Sequence, residues 1–175
     1  MKTTATVLRE MGLPSPFAET EPLERVELDL DSPGEGELLI RIRAAGLCHS
    51  DLSVITGQRP RVMPMALGHE AAGEVVATGP GDHGFVEGDH VVLAFVPACG
   101  ECYQCKHHQA YLCETSAAQA AAGLLDGTTR LTSAGAPLHQ MACLGTFGPY
   151  AIVPEISTVK IPDDVPLKVA ALIGC

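Results

Sequence analysis

Polar and apolar residues alternate through Arg25-Val-Glu-Leu-Asp-Leu30, the pattern of a strand with one buried face. Ser32-Pro-Gly-Glu-Gly36 predicts a turn, and Glu37-Leu-Leu-Ile-Arg-Ile-Arg43 a second strand. Further strands are predicted over Glu70–Val76, His90–Val96, Tyr150–Val153 and Thr158–Ile161. Helical patterning is sparse. His49-Ser-Asp-Leu-Ser-Val-Ile55 predicts a short helix, and Pro166–Ile173 opens another, with proline in its first turn behind Asp163 and Asp164. Residues 117–125 are alanine-rich and read as a helical turn or a loop. Strands at this spacing, broken by glycine and proline, predict a mainly β protein: a small barrel or rolled sheet with short helices. There is no internal repeat and no interdomain linker, so residues 1–175 read as one domain.

Composition narrows the function. The net charge of -10 comes with no Lys/Arg cluster, so a phosphate backbone or an anionic membrane surface would be repelled. The expectation is therefore no nucleic-acid partner and no membrane partner. The first eleven residues include Lys2, Arg9 and Glu10 and lack the apolar run of a signal peptide, and no stretch approaches the ~20 apolar residues that cross a bilayer. A cytoplasmic location is expected.

Four of the seven cysteines fall in Cys99-x2-Cys102-x2-Cys105-x7-Cys113. Short gaps let neighbouring thiolates reach one ion, and four soft ligands from a tight loop are what a closed tetrahedral zinc site uses. An iron–sulfur cluster, disulfides or buried free thiols are the alternatives that spacing leaves open. Lys106, His107 and His108 read as solvated loop residues.

Three further segments are scattered: Gly46-Leu-Cys48-His49-Ser50-Asp51, Gly68-His69-Glu70 and Leu172-Ile-Gly-Cys175. Each is weak alone, since a lone cysteine is usually a small buried residue and a lone histidine usually structural. Ser50 reads equally as a helix cap and Asp51 as a first-turn carboxylate. Together the segments supply Cys, His and Cys, a catalytic zinc set with one open position.

With these segments in this order, and with Asp126-Gly-Thr-Thr-Arg130 and the run from Phe147 through Glu155-Ile-Ser157 to Cys175, the chain resembles the zinc-dependent medium-chain alcohol dehydrogenases over nearly its whole length. It is most similar to the branch holding class I alcohol dehydrogenases and glutathione-dependent formaldehyde dehydrogenases. The resemblance implies a GroES-like β-barrel with short helices and a zinc-binding loop at 97–114. It implies two zinc ions, one catalytic on Cys48, His69 and Cys175, with Glu70 able to approach the metal, and one structural on Cys99, Cys102, Cys105 and Cys113. It also implies that Asp51 orients His69, that Ser50 takes the proton of the alcohol, and that His49 touches the pyrophosphate of NAD(P). Phe95, Met141 and Ala142 correspond to substrate-lining positions. Ser53 stands where the family's outer proton relay often has a histidine.

The implied activity is oxidation of a primary or secondary alcohol to an aldehyde or ketone, with hydride transfer to NAD(P). The implied partners are a small-molecule alcohol or aldehyde, and further copies of the chain only for the full-length enzyme. Gly79-Pro-Gly-Asp-His-Gly84 spells G-x-G-x-x-G but leads toward the strand at His90 and not into a helix, so it reads as a turn and not as a dinucleotide site. The expectation is that the chain stops before a nucleotide-binding Rossmann domain and is inactive by itself. A non-catalytic zinc-binding module or thiol redox sensor is the rival reading. Cys143, His83, His90 and His139 are assigned no chemistry.

Overall fold

A computed structural model describes residues 1–81, 84–119 and 123–175, with backbone alone at 117–119. In chain order its elements are β1 (Lys2–Leu8), α1 (Phe17–Thr20), β2 (Leu23–Leu30), β3 (Glu37–Ala45), α2 (His49–Ile55), β4 (Met65–Ala66), β5 (Ala71–Thr78) and β6 (His90–Leu93). Then follow α3 (Tyr103–Lys106), α4 (Glu114–Gln119), β7 (Leu131–Ser133), β8 (Ala136–Gln140), β9 (Tyr150–Pro154), β10 (Thr158–Lys160) and α5 (Leu167–Ala170), with single 3-10 turns at Ala110–Leu112, Met141–Cys143 and Glu155–Ser157. Strands β1-β2-β7-β8-β4 close a barrel, and β10-β6-β5-β3-β9 form a second sheet. Closure depends on β4, which is antiparallel to β1 through Val7–Ala66 and parallel to β8 through Met65–His139.

Strands β3 and β9 of the second sheet are buried on both faces. Successive residues of β3 and β9 point to opposite sides. Leu38, Ile40 and Val153 therefore enter one core with Val75, Val91 and Leu93, while Leu39 and Ile152 enter the barrel core with Val7, Leu28, Leu30 and Leu138. Unbroken apolar runs at Leu38–Ile40 and Ala151–Val153 are what two-faced burial requires. Each fully buried leucine contributes about 1.5–3 kcal/mol. Gln140, buried in the barrel, satisfies its amide by donating to Leu144 O and Ile152 O, at 3.2 and 3.0 Å. Arg130 forms a bidentate pair with buried Glu37 (2.9 and 2.8 Å) and a third contact with Asp126 (2.8 Å), tying the 126–130 turn to β3.

A third cluster positions the site. Val54 and Ile55 of α2 pack on Leu8, Met65, Leu67 and Met141, so the helix is seated where β1 and β4 meet.

Several expectations need correcting. The strand predicted over His90–Val96 ends at Leu93, and Ala94 donates to Ser157 O (2.8 Å) where the chain turns away. The helix opened at Pro166 extends only over Leu167–Ala170, with Pro166 as its N-cap. Strands β1, β4, β7 and β8 were not among the predicted elements. Asp82 and His83 of the G-x-G-x-x-G segment lie outside the described residues, as do residues 120–122 of the alanine-rich stretch, whose start is α4. In the described part of the glycine segment no helix begins, and the chain passes from β5 to its antiparallel neighbour β6.

Candidate metal centres and substrate cavity

The loop of α3, the following 3-10 turn and the start of α4 folds back so that the ligand atoms of Cys99, Cys102, Cys105 and Cys113 all lie within 4.8 Å of one another. Backbone amides point at the sulfurs: Cys99 N–H donates to Cys113 Sγ and Cys102 N–H to Cys99 Sγ, both at 3.4 Å. The amides of Cys102 and Glu101 hold the Cys99 thiol down to about 6, while burial pushes Cys105 up to about 12. For Cys113, burial opposes ionisation but the amides of Cys99 and Ser116 outweigh it and lower its pKa. Four thiolates together need a cation to replace their protons. Cys99 Sγ and Cys105 Sγ stand 4.0 Å apart. A tetrahedral zinc–thiolate site with bonds of about 2.3 Å places its sulfurs ~3.8 Å apart, so the cluster has room for one ion. All seven cysteines are free thiols. Lys106, His107 and His108 are exposed, and His107 stacks on Tyr103 with ring centroids 4.0 Å apart.

The second set is assembled from three distant places: the N-cap of α2, the residue following Gly68, and the segment after α5. Ligand atoms of Cys48, His69 and Cys175 also lie within 4.8 Å of one another, and the two sulfurs are 3.7 Å apart. Asp51 fixes this geometry. Its Oδ2 accepts from Cys48 N–H (3.2 Å) and its Oδ1 from Gly68 N–H (3.1 Å), and Oδ1 faces His69 Nδ1 at 3.4 Å. That last distance is long for a hydrogen bond, and His69 is buried with neither ring nitrogen formally satisfied. A buried imidazole whose far nitrogen has no protein partner, beside two thiols, fits a metal ion. Burial opposes charging of His69, but Asp51 and Cys48 together outweigh it and raise its pKa. The Ser50 N–H lowers Cys48 to about 7. Burial, then the neighbouring Cys48 thiol and Glu70 carboxylate, push Cys175 up to about 11.

Two glycines make room. A Cβ on Gly68, whose φ is +95°, would sit 2.6 Å from Phe147 Cδ1 and Thr146 Oγ1. A Cβ on Gly46 would overlap the Glu70 carboxylate at 2.1 Å, so that glycine allows buried Glu70 to lie beside the set.

His69 opens on a cavity of about 390 Å³. Ser50, Phe95, Met141 and Ala142 line it, and the Phe95 ring meets the His69 ring edge-on at 5.9 Å. The other walls are Arg59, Arg61, Val96, Tyr111, Leu112, Cys113 and Ser116; of these the sequence singled out Cys113 alone, and as a ligand of the four-cysteine loop. His49 is exposed, with its Nδ1 3.3 Å from Ser53 Oγ. Cys143 is buried in the barrel, where burial pushes its thiol up to about 11. His90 is half-buried on β6 and His139 on β8, while His83 lies outside the described residues.

A β-barrel that carries a four-thiol loop and a separate Cys–His–Cys set beside a cavity defines a class, the GroES-like catalytic domains. Residues 34–163 match the alcohol dehydrogenase GroES-like domain, and the chain belongs to that family. It is 43% identical over 175 residues to putative alcohol dehydrogenase D of Mycobacterium tuberculosis, covering 100% of this chain and 45% of the relative. A crystal structure of an alcohol dehydrogenase zinc-binding domain protein from Burkholderia ambifaria superposes with a TM-score of 0.89 at 35% identity, over 100% of this chain and 46% of that one. Benzyl alcohol dehydrogenase from Acinetobacter calcoaceticus superposes at 0.85 and 30% identity, over 100% and 45%. The chain thus spans about half the length of the relatives it matches.

Proposed function

We propose that this chain is the catalytic domain of a zinc-dependent alcohol dehydrogenase, which oxidises a primary or secondary alcohol to an aldehyde or ketone with NAD(P) as hydride acceptor. One observation carries the reading: Cys48, His69 and Cys175, far apart in sequence, bring their ligand atoms within 4.8 Å beside a largely apolar cavity. In this reading Cys48, His69 and Cys175 hold a catalytic zinc, with Glu70 beside it, and Cys99, Cys102, Cys105 and Cys113 hold a structural one. Zinc at the first site supplies Lewis acidity to an alcohol in the cavity.

The chain's own residues do the rest. Phe95, Met141 and Ala142 exclude water and present an apolar wall to the carbinol carbon. The Ser50 hydroxyl, on the same cavity, accepts the alcohol proton. Asp51 holds Cys48 and His69 in place through its contacts to Cys48 N, Gly68 N and His69 Nδ1. Ser50 hands its own proton on toward solvent, and on the same helix Ser53 Oγ lies near His49 Nδ1 (3.3 Å) and donates to His49 O (3.1 Å). For the dinucleotide, the described residues offer His49 and no glycine-cradled helix start. The 175 residues by themselves are therefore expected to show no NAD-dependent turnover, because hydride transfer needs the nicotinamide held in contact with the substrate. Among the described residues no helix is long and apolar enough to cross a membrane. Seven free thiols suit a reducing compartment, and we assign the protein to the cytoplasm.

Elemental analysis and cobalt substitution test the metal assignment. Two zinc ions per chain are expected, with one replaceable by cobalt to give thiolate charge-transfer absorption that disappears in Cys48→Ser. A single metal ion, or iron, would overturn the reading.

A further inference from the structure

The cavity beside His69 is largely apolar, yet two guanidinium groups stand in its wall. Arg59 and Arg61 both line it, and no aspartate or glutamate does. Of the other arginines, Arg9 pairs with Glu24, Arg41 and Arg43 with Glu74, and Arg130 with Glu37 and Asp126, while Arg25 is exposed and faces Thr4 Oγ1 (3.5 Å) on the outside of the barrel strands. Among the described residues Arg59 and Arg61 have no carboxylate partner. This holds in a chain of net charge -10, where acidic residues outnumber basic ones 21 to 11. Arg59 is exposed and Arg61 half-buried, so both guanidinium groups keep donors free for an anion in the cavity.

The local backbone keeps the two groups in position. Arg59 N–H donates to Ser53 O (2.9 Å), which anchors the segment to the end of α2. Pro60 between the arginines fixes its own backbone torsion, and Arg61 Nη1 donates to the Pro60 carbonyl (2.9 Å). Arg61 is half-buried, and that burial, with Arg59 beside it, lowers its pKa. The two like charges thus already interact, and a bound anion would relieve them.

We propose that Arg59 and Arg61 form an anion subsite in the wall of the substrate cavity, and that the substrate is a small alcohol carrying a carboxylate. The inference rests on the dehydrogenase reading for the alcohol end and on the two arginines for the other. A guanidinium presents a planar fork that matches a carboxylate through paired charge-assisted hydrogen bonds. The volume of about 390 Å³ is at the small end for ligand pockets, which favours a compact hydroxy acid with an aryl or short alkyl spacer. The carboxylate on Arg59 and Arg61 would direct the hydroxyl toward Ser50 and His69.

The test is calorimetric binding of 4-(hydroxymethyl)benzoate and its neutral isostere 4-(hydroxymethyl)benzamide to the zinc-loaded protein as its gene encodes it. The carboxylate is expected to bind about tenfold tighter at low salt. That preference should shrink as salt rises from about 20 mM to about 500 mM. In R59Q/R61Q the two compounds should bind within about twofold of each other, with the affinity for the amide unchanged. Equal binding to the wild-type protein, or a preference that salt does not weaken, would overturn the proposal without any variant. So would a folded, zinc-replete double variant that loses both compounds alike. Metal content is read separately: charge discrimination by a protein that holds no ion at Cys48, His69 and Cys175 would remove the dehydrogenase reading and leave the anion subsite standing.

Discussion

The two cysteine-rich sites differ in how they come together. Cys99, Cys102, Cys105 and Cys113 lie on one loop, whose secondary structure is a single helical turn, a 3-10 turn and the start of α4. None of the first three cysteines is buried, and between Pro97 and Ser116 the buried residues are Pro97, Cys113 and Ser116. With little core of its own, it depends on whatever its thiolates bind. Cys48 and His69 are carried by the barrel instead, seated by Leu8, Val54, Met65 and Leu67 and tied by Asp51, while Cys175 follows α5 and is exposed. On the proposed reading the first site would be shaped by its ion, whereas Cys48 and His69 of the second are placed by the fold before any ion binds. Chelation would set a local conformation in one case and mainly fill a prepared corner in the other.

The sharpest test sets Cys102→Ser against Cys48→Ser. Loss of a ligand in the loop should cost ~3 kcal/mol or more, lowering Tm by roughly 10 °C, together with one zinc. Loss of Cys48 should also remove one zinc, but change stability by less than about 1 kcal/mol, since the hydrophobic seat of α2 is untouched. Differential scanning fluorimetry with metal analysis reads both, and equal destabilisation would break the distinction. A smaller effect is expected from Asp51→Asn, which keeps a side chain of the same size but weakens the orientation of His69. Affinity for the barrel-held zinc should fall about 10–100-fold, while the loop zinc is unchanged in a competition titration with a chromogenic chelator. If both zincs weaken alike, Asp51 acts on the fold and not on one site.

The smallest effect concerns acid, and it lies away from both metal sites. Burial opposes ionisation of Asp126, but hydrogen bonds from Thr128 and Arg130 outweigh it and hold the carboxyl at about 2, below its ordinary 3.8. Because the folded pKa is depressed, the stabilisation is present above about pH 4 and is lost as pH falls from there toward 2. Asp126 is half-exposed, so solvent screening limits the effect to below about 1 kcal/mol. Comparing Asp126→Asn with the parent protein by urea unfolding at pH 6 and pH 3 should show a difference that narrows at the lower pH. A constant difference would mean the turn is stabilised by shape alone.

The same contrast governs what could be read from the sequence. The loop site is legible because its ligands are neighbours and their spacing is the signal. The barrel-held set has no local signature, and only the resemblance of several segments in order pointed to it. Helix α2 was legible to the residue, His49–Ile55, because its inward positions Asp51, Val54 and Ile55 follow helical spacing. Strand β1 was missed although Thr3, Ala5 and Val7 are buried in alternation, because threonine and alanine make a weak apolar signal. Strand β4 is two residues long and exists only through its partners β1 and β8. Arg59 and Arg61 sit in an aperiodic loop, where nothing local says that they border the cavity. The available hint was an Arg-Pro-Arg segment placed between α2 and Gly68-His69.

Cys113 belongs to the four-sulfur cluster and also stands in the cavity wall, next to Tyr111, Leu112 and Ser116. A residue with two such duties makes the occupancies of the two places thermodynamically linked. A guest that favours the metal-holding placement of Cys113 would tighten retention of the loop's ion, and by reciprocity the ion would tighten the guest by the same factor; a guest that disfavours it would loosen both. A change in exchange of the loop metal on adding a cavity ligand would then come from the shared wall, with no contact between guest and metal.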